Sequence, residues 1–420
     1  MFIKNLKLRK IATDLIKKNA TLRKTARFVL LHWRRFRFTL RTFNIKVDEK
    51  TVVFNAFNGK SYSCTPKAVY EYMLTHEDYQ DYTFIWAFKN PDEYEYLLEN
   101  PRTELVKINS KDYQRAIAGA KYWIFNYRVL DHLYPRKNQV YVQCWHGTPL
   151  KKLGYDLKNS SNAMNSTAEI YRKYKIDAAK FKYILSPSAF ASEKFTSAWN
   201  LKEFGKEDTV LEVGYPRDDY LSNYSQSDIA EIKERIGLGD VDKRVILYAP
   251  TWRDNQHTSA VGYTYKVEAD FDYLRERLGD DYVILFRAHY LIKNSFDFTK
   301  YEGFVYDATD FDDINELYVV SDLLITDYSS VFFDYANLCR PILFFMYDFE
   351  QYRDDLRGFY ISLDELPGPI VRTEKDLCDK IDELPAEFEM DDTYQKFNKK
   401  FNYLNDGKAT ERFVKVVFNA

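Results

Sequence analysis

Two histidines stand where strands end in residues able to do chemistry. In QCWHGTPLKKLGYD (143–156), an apolar run ends in His146, followed by Gly147, Thr148, Pro149 and Leu150. Imidazole near its ordinary pKa is suited to deprotonating a hydroxyl, Gly147 permits close backbone approach, and Lys151 and Lys152 would attract phosphate. A lone loop histidine is more often structural than catalytic. In YVILFRAHY (282–290), an apolar strand delivers Arg287, Ala288 and His289, with Arg287 and His289 on one side by strand alternation, a pairing that suits an anion.

Two other segments have the same form. YAPTWRD (248–254) runs a strand into Pro250, Thr251 and Arg253, and VGYPRDD (213–219) puts Arg217 after a Gly and Pro turn. In DLLITDYSSVFFDYA (322–336), Asp327, Ser329 and Ser330 precede a helix starting near Val331. Ser329 or Ser330 reads as its N-cap, or as part of a phosphate site, with Asp334 one turn later placed for a ribose or polyol hydroxyl. Three other motifs fail. GKS (59–61) lacks the Gly that a P-loop needs at position 54, where Phe54 stands. There is no G-x-S-x-G elbow. Asp310-Phe311-Asp312 and Asp270-Phe271-Asp272 have the form of metal-binding carboxylate pairs, but such pairs are common in an acidic chain, and no metal is expected.

Positioning these groups requires strands that all end at one edge. TVVFNAF (51–57), TFIWAF (83–88), ELVKI (104–108), YWIFN (122–126), VYVQCW (140–145) and YILS (183–186) alternate with helical sequence, and a second series begins with VLEVG near 210. It continues through RVILYAP (244–250), YVILFRAH (282–289), FVYDA (304–308), DLLITD (322–327) and PILFF (341–345). This predicts an α/β, GT-B type fold of two Rossmann-like doubly wound lobes with a cleft between them. The expected domains are 43–205, an acceptor lobe; 206–381, a donor lobe; and 382–420, helices packing back on the first lobe.

Residues 1–42 form a separate basic segment. Up to Arg41 it holds thirteen Lys or Arg and one acid, so the rest of this 420-residue, net −2 chain carries −14. Phe2, Ile3, Leu6, Leu8, Ile11, Leu15, Ile16, Phe28, Leu30, Leu31, Trp33, Phe36 and Phe38 recur among the cations. The pattern predicts a basic amphipathic helix for an anionic membrane surface, each cation adding about 1 kcal/mol. The acidic remainder argues against nucleic acid. No apolar run is long enough to span a bilayer or form a secretory leader, and four scattered cysteines lack metal-ligand spacing, so a reduced cytoplasmic setting is expected.

Taken in order, GKSYSCTPKAVYEY (59–72), WHGTPLK (145–151), GYPR (214–217), YAPTWRD (248–254), RAH (287–289) and TDYSSVFFDYA (326–336) resemble the CDP-glycerol glycerophosphotransferases of teichoic-acid and capsule synthesis. The likeness covers roughly residues 50–380. It implies a GT-B fold, a CDP-linked polyol donor (CDP-glycerol or CDP-ribitol), an undecaprenyl-linked acceptor at the cytoplasmic membrane face, and no cofactor. It implies that His146 deprotonates the acceptor hydroxyl, with Gly147, Thr148, Pro149 and Leu150 as the adjoining loop, and that His289 and Arg287 stabilise charge on the pyrophosphate. Arg217, Pro250, Thr251, Ala288, Ser329, Ser330 and Asp334 match donor-binding segments. Cys64 departs from the pattern, standing where a polar residue is common.

Three other readings stay open on sequence: transfer from CDP-ribitol, a nucleotide-sugar glycosyltransferase on the same fold, and a catalytically silent assembly factor.

Overall fold

The computed structural model of the chain describes residues 20–158, 166–251, 257–258, 262–263, 269–288, 297–350 and 358–418. Its core is two all-parallel sheets. The first is built from β1 (Asp48–Asn55), β2 (Thr83–Phe88), β3 (Thr103–Lys107), β4 (Ala120–Phe125), β5 (Val140–Gln143), β6 (Tyr183–Ser186) and β7 (Val210–Glu212), in the order β3-β2-β1-β4-β5-β6-β7. The second is built from β8 (Arg244–Ala249), β11 (Tyr282–Phe286), β12 (Val305–Asp307), β13 (Leu323–Thr326), β14 (Ile342–Phe345) and β15 (Ile370–Val371), in the order β12-β11-β8-β13-β14-β15. Between β8 and β11, β9 (His257–Thr258) and β10 (Gly262–Tyr263) form an antiparallel pair.

Helices cover both faces of each sheet, which is why its strands are continuous apolar runs rather than alternating ones. Val52 and Phe54 of β1 pack with Trp86 and Ile124 on one face, whereas Val53 packs with Trp123 and Ile184 on the other. In β8, Val245 and Leu247 face one core and Ile246 and Tyr248 the opposite one. The strand order reverses between β1 and β4 in the first sheet and between β8 and β13 in the second. Ligands of doubly wound sheets collect outside the carboxyl ends at such points.

The lobe boundary differs from the sequence-based expectation. β7 pairs in parallel with β6, Ile184 opposite Val210, so it closes the first sheet, and the change of lobe follows Glu212 instead of falling before it. The C-terminal helices also divide. Tyr394, Phe397 and Phe401 of helix Asp392–Phe401 enter the second lobe's core, whereas Phe413, Val414 and Val417 of helix Ala409–Phe418 join Val52 and Phe54 in the first. The Asp219 carboxylate caps that last helix, accepting the amides of Ala409 at 2.8 Å and Thr410 at 2.7 Å, so the two crossings of the chain brace each other.

Of the basic N-terminal segment, helix Ala20–Thr42 is described and residues 1–19 lie outside the described residues. Phe38 packs on the first lobe, and Arg41 donates to Gln114 at 3.1 Å. Val29, Trp33, Phe36 and Leu40 are exposed, on a stripe facing away from Phe38 at helical spacing. Among the described residues no helix is long and apolar enough to cross a membrane.

Candidate functional site

His146 is turned into the cleft by a kink at the end of β5. The ladder continues one residue past the strand, the Cys144 amide donating to the Phe125 carbonyl at 2.7 Å. Trp145 then adopts φ 52°, a left-handed conformation that costs a residue with a side chain about 1–2 kcal/mol. Gln143 secures it. Its Oε1 accepts the Trp145 amide at 2.9 Å, while its Nε2 donates to Tyr141 Oη at 2.9 Å and to the Tyr127 carbonyl at 3.3 Å.

The imidazole lies between aromatic neighbours, stacked on Trp145 at 4.6 Å and edge-on to Phe57 at 5.9 Å between ring centroids. Nδ1 is 3.2 Å from the Asn126 carbonyl. A carbonyl only accepts, so Nδ1 carries the proton and Nε2 is left as the basic nitrogen. The ring is surrounded by protein but reaches solvent within the cleft. Desolvation, with a smaller contribution from Arg217, lowers its pKa to about 4, against the raising effect of the Asn126 hydrogen bond. It is therefore neutral at pH 7, the state required of a base.

The loop after His146 crosses to the second lobe. The carbonyl of Leu150 accepts the Tyr360 amide at 2.8 Å, Lys152 donates its amide to the Gly358 carbonyl at 3.0 Å, and Lys151 bridges Phe359. Leu150 is buried in the second lobe's core, so this residue clamps the loop. Thr148 and Pro149 are buried beside it. Tyr360 returns the contact, accepting the Leu153 amide at 3.0 Å and donating to Asp156.

Opposite His146, Pro250 and Thr251 follow β8 and Asp327 follows β13, at the second sheet's point of strand reversal. Asp327 Oδ1 joins the two ends by accepting the amides of Thr251 at 2.8 Å and Tyr328 at 2.5 Å. Ser329 and Ser330 are half-buried, and the Ser330 hydroxyl makes no capping bond to helix Val331–Tyr335. It lies instead against Gly147: a Cβ there would sit 3.0 Å from Ser330 Oγ. The His146 loop and the paired serines thus meet across the cleft.

Arg287 is half-buried, its Nη1 donating to the Ala308 carbonyl at 2.7 Å and to that of Phe311, and burial lowers its pKa. The Ala288 amide donates to Thr309 Oγ1 at 3.2 Å. His289, Trp252, Arg253 and Asp254 lie outside the described residues.

Arg217 and Asp334, grouped on sequence with the donor segments, are buried and bonded to each other. Arg217 Nη2 reaches the two Asp334 oxygens at 2.8 and 2.9 Å, Nε reaches Asp218 at 3.2 Å, and Nη1 lies 3.6 Å from Cys64 Sγ. Burial works against the guanidinium charge, but Asp334 and Asp218 outweigh it and hold Arg217 charged. Cys64, in the left-handed region at φ 64°, opens helix Cys64–Thr75 of the first lobe, so this network ties the two lobes behind the cleft. Lys67 adds a second tie, to Asp313 at 3.1 Å and Glu316 at 2.8 Å.

The two carboxylate pairs have structural partners. Asp270 caps helix Phe271–Leu278, and Asp312 accepts from the Tyr62 amide and the Tyr94 hydroxyl, both at 3.4 Å. Sequence reasoning missed Asn126, Gln143 and Tyr360 as parts of the site. Asn126 follows a strand next to the reversal of order, a signal available once the topology is known; Tyr360 offers none.

Residues 36–419 match the CDP-glycerol:poly(glycerophosphate) glycerophosphotransferase family. The chain is 41% identical over 377 residues to a teichoic acid poly(glycerol phosphate) polymerase of Bacillus subtilis, covering 89% of this chain and 49% of that protein. It is 39% identical to a teichoic acid glycerol-phosphate transferase of Staphylococcus aureus, covering 88% of this chain and 93% of that one. The chain thus spans about half the length of the first of these relatives. Among solved structures it resembles the wall teichoic acid polymerase TagF, with TM-score 0.79, 38% identity, and coverage of 95% of this chain and 96% of that one.

Proposed function

The chain belongs to the CDP-glycerol:poly(glycerophosphate) glycerophosphotransferase family, and from that premise we propose that it moves glycerol phosphate from CDP-glycerol to a hydroxyl of a teichoic-acid acceptor, releasing CMP. The observation that carries this reading is the neutral His146, its Nδ1 engaged by Asn126 and its Nε2 basic, on a loop whose next residue, Gly147, lies against Ser330 of the second lobe. In the proposed step Nε2 takes the proton of the acceptor hydroxyl as its oxygen bonds to the donor's β-phosphorus. The bond from that phosphorus to the bridging oxygen breaks, and the electron pair leaves with CMP.

The second lobe takes the donor in this scheme. Ser329, Ser330, Thr251 and the Ala288 backbone surround the edge where a diphosphate would lie, and the charge of Arg287 is held near it by the carbonyls of Ala308 and Phe311. Preorganised groups of this kind contribute about 3 kcal/mol each to a transition state that gathers charge. His289, two residues beyond Arg287, is assigned to the leaving phosphate on family resemblance. Arg217 and Asp334 are assigned to the frame of the cleft, on the strength of their mutual bond.

We place the reaction at the cytoplasmic face of the membrane, on a lipid-linked acceptor. The exposed stripe of Val29, Trp33, Phe36 and Leu40, on a helix rich in Arg, supports this siting: such a surface inserts its rings at the headgroup boundary while its cations meet anionic lipid. The test is the mass of the product. Incubation with CDP-glycerol and a lipid-linked acceptor analogue should add glycerol-phosphate units to the acceptor. An acceptor unchanged in mass, or one gaining a hexose from a nucleotide sugar, would rule the reading out.

A further inference from the structure

The imidazole is held by its surroundings, and one neighbour, Asn126, acts on it twice. Its main-chain carbonyl accepts the proton of Nδ1 at 3.2 Å. Its side-chain Oδ1 accepts the Phe57 amide at 2.7 Å, and the Phe57 ring lies edge-on to the imidazole. Asn126 is itself pinned at the reversal of the first sheet, where its amide donates to the Asn55 carbonyl at 3.3 Å and the Asn55 side chain donates to the Ala87 carbonyl at 2.8 Å.

The amide of Phe57 needs an oxygen, so the orientation of the Asn126 carboxamide follows from chemistry. That orientation turns Nδ2 into the protein, where it is fully buried with no hydrogen-bond partner among the described residues. Buried donors are rarely left in this state, because each carries an uncompensated desolvation penalty. An aspartate would accept the same amide and strand no donor. It would also bring a negative charge up to the imidazole and draw a proton onto it. The carboxamide supplies the acceptor without the charge, and this difference accounts for an otherwise unfavourable residue.

We propose that Asn126 is the positioning residue of the His146 base: its carbonyl selects the tautomer with Nε2 unprotonated, and its neutral carboxamide, acting through Phe57, sets the ring's plane while keeping the imidazole uncharged. Among the described residues the charged group acting on the ring is Arg217, on the segment that crosses between lobes, and it too favours the neutral form. Phe57 and Trp145, whose rings pack against the imidazole, carry no charge.

The inference rests on His146 being the base of the proposed transfer, so its test has one readout that needs no turnover. Nitrogen NMR of the six imidazoles in the full chain, with His146→Gln to assign the signal by difference, reports tautomer and titration directly. The wild type is expected to show the Nδ1–H tautomer, still neutral at about pH 5. Asn126→Asp, close to isosteric and still able to accept the Phe57 amide, should raise the titration by about 1 pH unit or more and move the acid limb of kcat/KM by the same amount. In Asn126→Ala the main-chain carbonyl remains, so the Nδ1–H tautomer should persist, while loss of the carboxamide that holds Phe57 should lower kcat about tenfold, a part of the roughly 10² to 10⁴ that a positioned base contributes, with KM for CDP-glycerol unchanged. An Nε2–H tautomer in the wild type, an unmoved titration in Asn126→Asp, or a wild-type kcat in Asn126→Ala would overturn the proposal. The expected NMR titrations in a protein that releases no CMP from CDP-glycerol would uphold Asn126 and overturn the reaction instead.

Discussion

A Cβ at Gly147 would lie 3.0 Å from Ser330 Oγ, so the residue after His146 and the serine that opens a helix of the opposite lobe meet closely enough that an added methyl group would press on the hydroxyl. Gly147→Ala is expected to force Ser330 off its position and lower turnover about tenfold. With the hydroxyl removed in Gly147→Ala/Ser330→Ala, the nearest remaining atom is Ser330 Cβ at 3.8 Å, and stability should recover. Thermal melts of both single variants and the double variant would give a coupling of about 0.5–3 kcal/mol.

His146→Gln should lower kcat by about 10² to 10⁴ with the fold intact. Its effect on acid stability follows from the low proton affinity of the native ring. The folded pKa of about 4 lies below the ordinary histidine value of about 6.5, so the unfolded chain binds the proton first. Stability contributed at this position is full above about pH 6.5 and declines as the pH falls towards 4, by an amount reduced because the ring reaches solvent. Urea unfolding at pH 7, 5.5 and 4.5 should show a smaller acid loss in His146→Gln than in the wild type.

The sequence revealed most where a strand is buried on both faces. TFIWAF (83–88) is β2 residue for residue, and RVILYA, YVILF and LLIT stand where expected, because these runs are continuously apolar over a strand's length. β7 was assigned to the wrong lobe because VLE is short and only half-buried; its sheet is decided by pairing with β6, which no local pattern encodes. Arg217 looks on sequence like an anion-binding group and Asp334 like a partner for a polyol hydroxyl, and their mutual bond, across 117 positions of chain, appears only in three dimensions. The clamp of Leu150 and Lys152 on residues 358–360 is invisible for the same reason.

Breaking the buried pair should be costly. Arg217→Ala or Asp334→Ala leaves a charge without its partner in a site less than a tenth exposed, and either should cost about 3–5 kcal/mol in denaturant unfolding. Arg217→Met/Asp218→Asn/Asp334→Leu should recover much of that loss, since none of the three charges is then stranded.

The exposed apolar stripe of helix Ala20–Thr42 can be removed without touching the core. Replacing Trp33, Phe36 and Leu40 together by Ser should leave the melting temperature unchanged and weaken cosedimentation with anionic vesicles by at least about tenfold. Added salt should weaken wild-type binding further, as the Arg contribution is screened.

The most direct test of the account is the rate of CMP release by the purified chain, given a lipid-linked acceptor analogue and, in parallel, CDP-glycerol, CDP-ribitol or a UDP-sugar. The account predicts rapid CMP release from CDP-glycerol that is lost in His146→Gln. Silence with CDP-glycerol across several acceptors, preference for another donor, or full activity in His146→Gln would contradict it.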